Sequence, residues 1–378
     1  MTLRIAAVEV RLLEYELDEP FYPTWLPGYP QTFNRVNLVI LETDEGIKGY
    51  SASPAFGTEA AHLGELLAPF LIGRDPFNVE EIVQILRSAT FLGQRIWYIE
   101  PALWDIIGKA AGLPVYRLLG GFQDRVRAYA STGELRGPEE RLEYVEEVRK
   151  LGIKAVKLRF HSLDWREDLE VARAVREHFP GMEIMVDANM GWRVAGMGEA
   201  PRWDLATAVR VAQELEELGV LWLEEPLDKN DFQGYRLLRQ KVNIPLAGGE
   251  MNQDLHEFRE LVRQGSLDIL QPDATLSGGI LMAKKIAALA EAHNLGFAPH
   301  TWTNGLGLAI NLQVMGAAPN CTWAEWPFEP PGWTPLARDF FLKEPIMVEE
   351  GYIRIPRGPG LGVEVDLEAI EEYRKGAP

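Results

Sequence analysis

The sequence is short of cysteine, of positive charge and of long apolar runs. Its one cysteine, Cys321, excludes an internal disulfide. No apolar stretch approaches the roughly 20 residues that cross a bilayer, and the first residues lack the basic, apolar and small-residue parts of a signal peptide. We therefore expect a soluble protein of a reducing cytoplasm, with no membrane partner.

Acidic side chains outnumber basic ones. The 378 residues include 56 Asp and Glu against 38 Lys and Arg, which gives a formal net charge of −18. This sign repels a phosphate backbone, so nucleic acid is not an expected partner. At about 150 residues per domain, the length fits two or three domains, or one long α/β barrel with an attachment.

The first third of the chain has the pattern of a small α+β unit. Residues 3–17 and 36–53 are rich in β-branched and apolar residues, and the turn sequence at 43–46 divides the second stretch into two strands. Helical periodicity follows at 58–72, 78–90 and 99–111. We expect an amino-terminal unit over residues 1–125 that contains an antiparallel sheet.

From residue 126 onwards, short apolar runs alternate with amphipathic stretches, as in parallel strands joined by crossover helices. Eight strands are predicted, at 126–130, 155–160, 183–189, 221–226, 245–250, 269–274, 297–300 and 322–326. Seven helices are predicted between them, at 138–152, 165–179, 204–219, 231–242, 255–265, 278–295 and 306–317. The pattern predicts an α/β fold, a TIM-type barrel over residues 126–330. The breaker-rich segment 331–378 is expected to return to the amino-terminal sheet, which completes a capping domain.

Three consecutive predicted strands have a carboxylate among their last three residues: Asp187, Glu224 and Glu250. In a TIM barrel these strand ends converge on one mouth, where three ionised acids repel one another unless a cation neutralises them. Oxygen ligands favour a hard ion, and three of them leave room for water and substrate, which suits Mg²⁺. Any one of these acids alone could equally be a helix cap or a solvated loop residue.

Other strand ends carry groups that could move a proton. Lys157 and Arg159 share one face of the second strand, while Asp273, His300 and Glu325 lie at the ends of the last three. A histidine alone is more often structural, but a neighbouring carboxylate orients an imidazole and raises its proton affinity. The set predicts abstraction of the proton alpha to a carboxylate, with an enediolate held by the metal and by the cations.

The residues resemble a known family. The stretch Ala102-Leu103-Trp104-Asp105 through Gly120-Gly121 and the strand ends Val186-Asp187-Ala188-Asn189, Trp222-Leu223-Glu224-Glu225-Pro226, Gly249-Glu250 and Gln271-Pro272-Asp273-Ala274 are similar to those of the enolase superfamily, in its mandelate racemase branch. The resemblance, to the mandelate racemase/muconate lactonizing enzyme family, covers nearly the whole chain. It implies Asp187, Glu224 and Glu250 as Mg²⁺ ligands, Asp273 with His300 as a catalytic dyad, and Glu325 as a hydrogen-bond partner of the substrate carboxylate. It leaves Glu225 a structural role.

The second strand departs from the family pattern. Where the family usually has Lys-x-Lys, this chain has Lys157-Leu158-Arg159. Deprotonating an arginine at pH 7 costs roughly 7–9 kcal/mol, so Arg159 is expected to stay a cation that holds the enediolate or substrate oxygens. Elimination of water needs one base, whereas racemisation needs two.

The resemblance therefore implies a Mg²⁺-dependent dehydratase of an acid sugar, an aldonate or an aldarate, with a 2-keto-3-deoxy acid as the product. One alternative is a racemase or epimerase that uses Lys157 opposite His300. Another is a barrel that binds carbohydrate acids without reacting. The family also implies a homo-oligomer, either a dimer or an octamer.

Several residues are candidates for contact with the substrate. Residues 18–33 resemble the specificity loop of the family, and within them Tyr22 and Trp25 either bind the sugar or simply pack. Asn189, two residues after Asp187, faces the same way along the strand. Trp302 and Thr303, just after His300, are expected to line the pocket. His161 follows the second strand and could contact a hydroxyl.

Overall fold

The computed structural model describes residues 3–60, 62–90, 95–192 and 198–375. It has an antiparallel sheet with helices at the amino-terminal end of the chain, followed by a parallel barrel. The α/β barrel with an α+β cap that the sequence predicts is confirmed. No helix in these ranges is long and apolar enough to span a membrane.

The amino-terminal sheet has three antiparallel strands in the order β1-β2-β3. The strands are β1 (Ile5–Phe21), β2 (Gln31–Thr43) and β3 (Lys48–Pro54). Three helices accompany them, α1 (Leu63–Leu71), α2 (Val79–Ala89) and α3 (Glu100–Ala111), with a 3₁₀ turn at Trp97–Ile99 before α3. Val39 and Leu41 of the sheet pack against Leu67, Ile82 and Leu103 in a second core apart from that of the barrel.

Two boundaries in this unit differ from the prediction. The loop expected over 18–33 covers only residues 22–30, because the β1–β2 ladder continues to the pair Phe21 and Gln31 after an irregularity beyond Glu16. The helix expected from residue 58 begins only at Leu63. His62 has φ of 65°, a left-handed conformation that cannot form part of a right-handed helix.

Eight parallel strands form the barrel, as predicted. They are β4 (Arg125–Ser131), β5 (Ala155–Arg159), β6 (Glu183–Asp187), β7 (Leu223–Glu224), β8 (Leu246–Gly248), β9 (Ile269–Leu270), β10 (Gly296–Phe297) and β11 (Trp323–Pro327). Each strand from β4 to β9 pairs with the one that follows it in the chain. The ring closes where β11 pairs with β4 and where Phe297 bridges to Cys321, a buried free thiol.

Seven crossover helices surround the barrel. They are α5 (Pro138–Lys150), α6 (Trp165–His178), α7 (Leu205–Glu217), α8 (Phe232–Arg239), α9 (Asp254–Gln264), α10 (Gly279–Ala292) and α11 (Gly305–Met315), while the short α4 (Val115–Leu118) precedes β4. Side chains cap several of their amino termini; Asp204, for example, accepts a hydrogen bond from the Thr207 N–H. All of α11 is buried.

Two buried acids of α3 join the amino-terminal unit to the rest of the molecule. Glu100 accepts hydrogen bonds from the backbone N–H groups of Ile280 and Leu281 at 2.8 and 3.0 Å, at the start of α10. Asp105 accepts from the N–H groups of Tyr50 and Leu361, both at 2.9 Å. Since a buried carboxylate needs such donors, the Glu100 contacts hold the cap against the barrel, and the Asp105 contacts hold β3 and the carboxyl-terminal segment against α3.

The last segment contacts both parts. It contains α12 (Pro335–Arg338), β12 (Val348–Glu349), β13 (Tyr352–Arg354) and α13 (Leu367–Tyr373). Strand β13 pairs antiparallel with β4 of the barrel, while α13 packs on β1 and the Lys375 N–H donates to the Leu12 carbonyl at 3.0 Å. The division into domains at residues 125 and 330 stays a prediction.

Candidate active site

The predicted strand-end residues converge at one end of the barrel, although not all of them lie in the ladder. Asp187 and Glu224 are the last residues of β6 and β7, and Glu325 is the third of five in β11. Glu250, by contrast, follows the end of β8 because Gly249 has φ of 120° and turns the chain out of the sheet. Asp273 and His300 also lie three residues past the ends of β9 and β10.

Asp187, Glu224 and Glu250 form a buried cluster that could hold a metal ion. One carboxylate oxygen from each lies within 4.8 Å of the others. Burial raises the pKa of Glu224 to about 7. The charge of Lys157 lowers this pKa, and the charge of Asp187 raises it further. Burial also raises the pKa of Glu250. Carboxylate oxygens are the ligands that Mg²⁺ and similar hard cations prefer, so the donor set fits such an ion.

Neighbouring donors hold the Glu224 carboxylate. Its Oε2 accepts from Gln271 Nε2 at 2.7 Å and from the Trp222 indole N–H at 3.2 Å. Trp222 in turn packs edge-on against Tyr129 at 5.5 Å, in a layer that fills the barrel beneath the site. Neither Gln271 nor Trp222 was predicted from the sequence as a site residue, although each lies two residues before one and therefore on the same face of its predicted strand.

Lys157 bridges two groups of acids. Its Nζ lies 2.7 Å from Glu224 Oε1 and 2.8 Å from Glu325 Oε1, and 3.5 Å from Asp187 Oδ2. Burial lowers the pKa of this amine, but Glu224 and Glu325 outweigh it and hold the pKa well above its usual value. The same ion pair holds the pKa of Glu325 well below its ordinary value, despite burial. Lys157 is therefore a cation in this arrangement.

Arg159 is fixed on every side. It forms an ion pair with Asp187, and it donates to the Thr132 carbonyl at 2.5 Å and to Asn189 Oδ1 at 3.1 Å. Its guanidinium lies over the rings of Trp25 and Trp302, 5.1 and 5.6 Å from their centroids. Burial lowers the pKa of Arg159, but Asp187 outweighs this effect and raises it. These surroundings support the expectation that Arg159 is a permanent cation.

His300 and Asp273 form a hydrogen-bonded pair. His300 Nδ1 lies 2.9 Å from Asp273 Oδ2, and the other Asp273 oxygen accepts from Thr275 and from Asn311 Nδ2 at 3.0 Å. His300 Nε2 therefore faces the cluster, 3.5 Å from Glu250 Oε2. Burial opposes protonation of the ring, but Glu250 and Asp273 raise the pKa of His300 to about 10. Neutralising Glu250 would remove the largest of the raising effects.

Glu325 is oriented by two donors besides Lys157. Ser131 Oγ donates to Glu325 Oε1 at 2.7 Å, and the Thr301 N–H donates to Oε2 at 2.7 Å. Ser131 was not predicted as a site residue, although it is the last residue of the first barrel strand and the other site residues also lie at strand ends. The carboxylate is wholly buried, so its position is fixed by these three contacts.

Glu225 is buried next to the cluster. It has φ of 44°, and neither carboxylate oxygen has a hydrogen-bond partner in the described part of the chain. Burial, assisted by Glu250 and Asp187, raises the pKa of Glu225 well above its usual value, which favours the neutral form. Its backbone donates to the Ala247 carbonyl at 3.1 Å and accepts from Met190 at 2.9 Å.

A cavity of about 400 Å³ lies between cap and barrel, within the usual size of a small-molecule site. Arg159, Asn189, Glu250 and His300 line it from the barrel. Of the candidate binding residues, Trp25 and Trp302 are in its wall, as are Thr303 and the cap residue Arg95. Arg95 was missed because nothing in the sequence indicates which part of the cap faces the barrel.

Two other candidate binding residues are not in this wall. Tyr22 and His161 line a separate cavity with Glu134 and Ser162. Tyr22 is 59% exposed, and His161 Nδ1 lies 2.9 Å from the Ala188 carbonyl. The structure thus brings together Asn189, Trp25 and Trp302 but not these two.

Comparisons with known proteins agree with this geometry. The family model for enolase C-terminal domain-like proteins matches residues 140–370, and that for the mandelate racemase/muconate lactonizing enzyme N-terminal domain matches residues 29–120. D-galactarolactone cycloisomerase from Agrobacterium fabrum is 33% identical over 100% of both chains. Arabinonate dehydratase from Saccharolobus solfataricus is 31% identical over 88% of this chain and 89% of its own.

Solved structures give the same result. L-talarate dehydratase from Polaromonas sp. JS666, complexed with Mg and L-glucarate, is 28% identical with a TM-score of 0.84, over 99% of this chain and 98% of its own. The named relatives include acid-sugar enzymes, and the family predicted from the strand-end motifs is confirmed. The chain belongs to the mandelate racemase/muconate lactonizing enzyme family of the enolase superfamily.

Proposed function

We propose that the protein is a Mg²⁺-dependent hydro-lyase that removes water from an acid sugar, an aldonate or an aldarate, to give a 2-keto-3-deoxy acid. The observation that carries the proposal is the placement of His300 Nε2 only 3.5 Å from Glu250, so that a base held by Asp273 faces a cluster of three acids. The names of the relatives, which include dehydratases of arabinonate and talarate, support the substrate class.

Asp187, Glu224 and Glu250 would hold the Mg²⁺. When bound, the ion would act as a Lewis acid toward the substrate carboxylate and make the neighbouring C–H more acidic. Lys157 lies beside the cluster and would position that carboxylate. Glu325, which Lys157 holds in its ionised form, would contact the substrate carboxylate through water. Arg159 adds a second fixed positive charge for the enediolate.

His300 performs both proton transfers in this scheme. Its Nε2 takes the proton from C2, and the electron pair forms the enediolate. As the C3–O bond breaks, the same nitrogen returns the proton to the leaving hydroxyl, which departs as water. The remaining enol becomes the 2-keto-3-deoxy acid. Asp273 holds the ring through Nδ1 during both transfers.

The surroundings of the second strand argue against the racemase alternative. Inversion needs a neutral base on the face opposite His300, but Lys157 is paired with two carboxylates and Arg159 with a third. A bound ion would neutralise Glu250 and so remove the main cause of the raised pKa of His300. Glu325 would still hold Lys157 as a cation, and Arg159 is a poor base near pH 7. One-base elimination is consistent with these contacts.

A second candidate reaction is the opening of an aldarolactone ring. It is favoured by the match to D-galactarolactone cycloisomerase over the full length of both chains. Removal of a proton alpha to the free carboxylate can expel a lactone carboxylate from the β carbon instead of water. The base and the cations would keep the same roles, and only the leaving group would differ.

The test is a screen of aldonates, aldarates and their lactones with Mg²⁺, read by semicarbazide for the 2-keto product. We expect at least one open-chain acid sugar to react. Turnover of lactones alone would establish ring opening instead. Deuterium incorporated at C2 in D₂O with inversion and without keto product would establish racemisation, and tight binding without any exchange would favour a binding barrel. The cytoplasmic location and the homo-oligomer also stay predictions.

Metal binding should stabilise the protein more at pH 8.5 than at pH 6. Burial raises the pKa values of Glu224 and Glu250. Their protonated carboxyl groups therefore stabilise the metal-free fold below pH 4.5, and this stabilisation is lost as pH rises toward 7. Protons therefore compete with the ion at pH 6. A Mg²⁺ concentration of 100 times the Kd at pH 8.5 should raise the Tm by about 3 °C at that pH. The same concentration should raise the Tm by less at pH 6.

Differential scanning fluorimetry with and without Mg²⁺ at both pH values checks this prediction. Glu224→Gln removes one ligand and should abolish most of the shift, whereas Glu147→Gln on the outer helix α5 should leave it unchanged. An equal shift at both pH values would contradict the argument from proton competition.

A further inference from the structure

Arg95 is a half-buried arginine in the wall of the central cavity without an acidic partner. Its Nη1 points at the sulfur of Met251, 3.9 Å away, and no described carboxylate lies within 4.0 Å of it. The residues outside the described ranges contain no Asp or Glu. Burial lowers the pKa of Arg95, with a weak opposing effect from Glu257.

The other described arginines of this wall are already neutralised. Arg35 is paired with Glu14 at 2.6 Å, and Arg159 with Asp187. A partly desolvated cation without a counter-charge costs free energy unless something else compensates it. Within the described wall of the cavity, Arg95 is thus the arginine available to an anionic ligand group.

Arg95 and the reacting groups belong to opposite parts of the molecule. Arg95 precedes the 3₁₀ turn that leads into α3 of the cap, whereas His300 and Glu250 follow barrel strands. Because all three line one cavity, a ligand whose carboxylate lies at the metal cluster can present its other end to the cap. The wall also contains the indole of Trp192, whose N–H has no hydrogen-bond partner among the described residues.

We propose that Arg95 binds a second carboxylate, so that the substrate is an aldarate, with an acid group at each end, and not an aldonate. A guanidinium is planar and donates two parallel hydrogen bonds that match the two oxygens of a carboxylate. This inference rests on the proposed function, because it uses the acid cluster as the site of the first carboxylate.

The experiment compares kcat/KM for pairs of aldarates and aldonates of the same configuration, with the 6-phosphoaldonate as a third member of each set. The wild-type protein should prefer the aldarate. Arg95→Gln should lower kcat/KM for the aldarate by about 100-fold, mainly through KM, and change the aldonate value less than about 3-fold. Arg95→Lys should restore part of the loss. Arg236→Gln, on the exposed side of α8, is the matched control.

Two further measurements separate this inference from the proposed reaction. The Tm of Arg95→Gln should not fall, because the side chain has no ion-pair partner to lose. Calorimetric Kd values for aldarates and aldonates, measured in a His300→Asn background with and without Arg95→Gln, report binding without turnover. Preference of the wild-type protein for aldonates or for phosphoaldonates, or an equal loss for all three ligands in Arg95→Gln, would overturn the inference. If no acid sugar reacts but Arg95 still governs aldarate binding, the inference stands and the proposed reaction falls.

Discussion

Replacing His300 by asparagine should lower kcat for dehydration by about 10⁴-fold and should stop exchange of the C2 hydrogen with D₂O. Asparagine keeps a polar group near Asp273 but has no basic nitrogen, and the nearby nitrogen groups of Lys157 and Arg159 are cations paired with carboxylates. The loss should appear in kcat more than in KM, because His300 acts on the proton and not on the carboxylate. Product formation and the NMR signal of the C2 hydrogen are the two readouts.

The control for this variant is His293→Asn, on an exposed turn after α10. Metal binding offers a second control: Asp187, Glu224 and Glu250 are untouched, so the Tm shift produced by Mg²⁺ should persist in His300→Asn. Retention of C2 exchange together with loss of dehydration would show that another group removes the proton and that His300 serves only the departing hydroxyl. Full activity would contradict the one-base scheme.

Much of this arrangement could be predicted because the barrel repeats a simple rule. An apolar run followed by a helical pattern identifies each strand, and the residue at the carboxyl end of the strand then lies at the mouth. That rule placed Asp187 and Glu224 near the carboxyl ends of their strands, and in the structure they are the last residues of β6 and β7. It also placed Glu250 and His300 near their neighbours, although both lie beyond the ladder.

The rest depends on contacts between parts of the chain far apart in sequence. Nothing in the local sequence shows that Arg95 and Trp25 share a cavity with His300, because their positions follow from how the cap packs on the barrel. Tyr22 and Trp25 are three residues apart in one loop, yet they line different cavities. The end of β1 at Phe21 likewise depends on its partner strand.

Arg159 stands where the family usually has a lysine. Its chemistry could be predicted from the sequence, but its surroundings could not. Its pKa already excluded it as a base. The structure adds that two indole rings and Asp187 hold it in place, which a more compact lysine ammonium would not reproduce. The charge of Arg159 and its fixed position together support a stabilising role.

Replacing Lys157 by methionine should be the most destabilising single change in the site, with a loss of about 3–5 kcal/mol at pH 8 without metal. Methionine fills much of the same volume but leaves Glu224 and Glu325 without the cation that lies 2.7 and 2.8 Å from them. In the wild-type protein Lys157 depresses the pKa of Glu325, and this contribution to stability is present above the ordinary carboxyl pKa and is lost as pH falls. In the variant this contribution to stability is lost, and Glu224 and Glu325 take up protons more readily.

The deficit of Lys157→Met should therefore depend on pH. As pH falls from 8 to 5.5, protonation of Glu224 and Glu325 replaces the missing cation, so the difference in urea midpoint from the wild-type protein should shrink. Mg²⁺ should recover part of the loss at pH 8, because it neutralises Glu224 but leaves Glu325 unpaired. Lys154→Met, exposed just before the same strand, should show none of these effects. A deficit equal at both pH values would mean that lost packing, and not uncompensated negative charge, determines the cost, and Lys157 would then have to be assigned a different role.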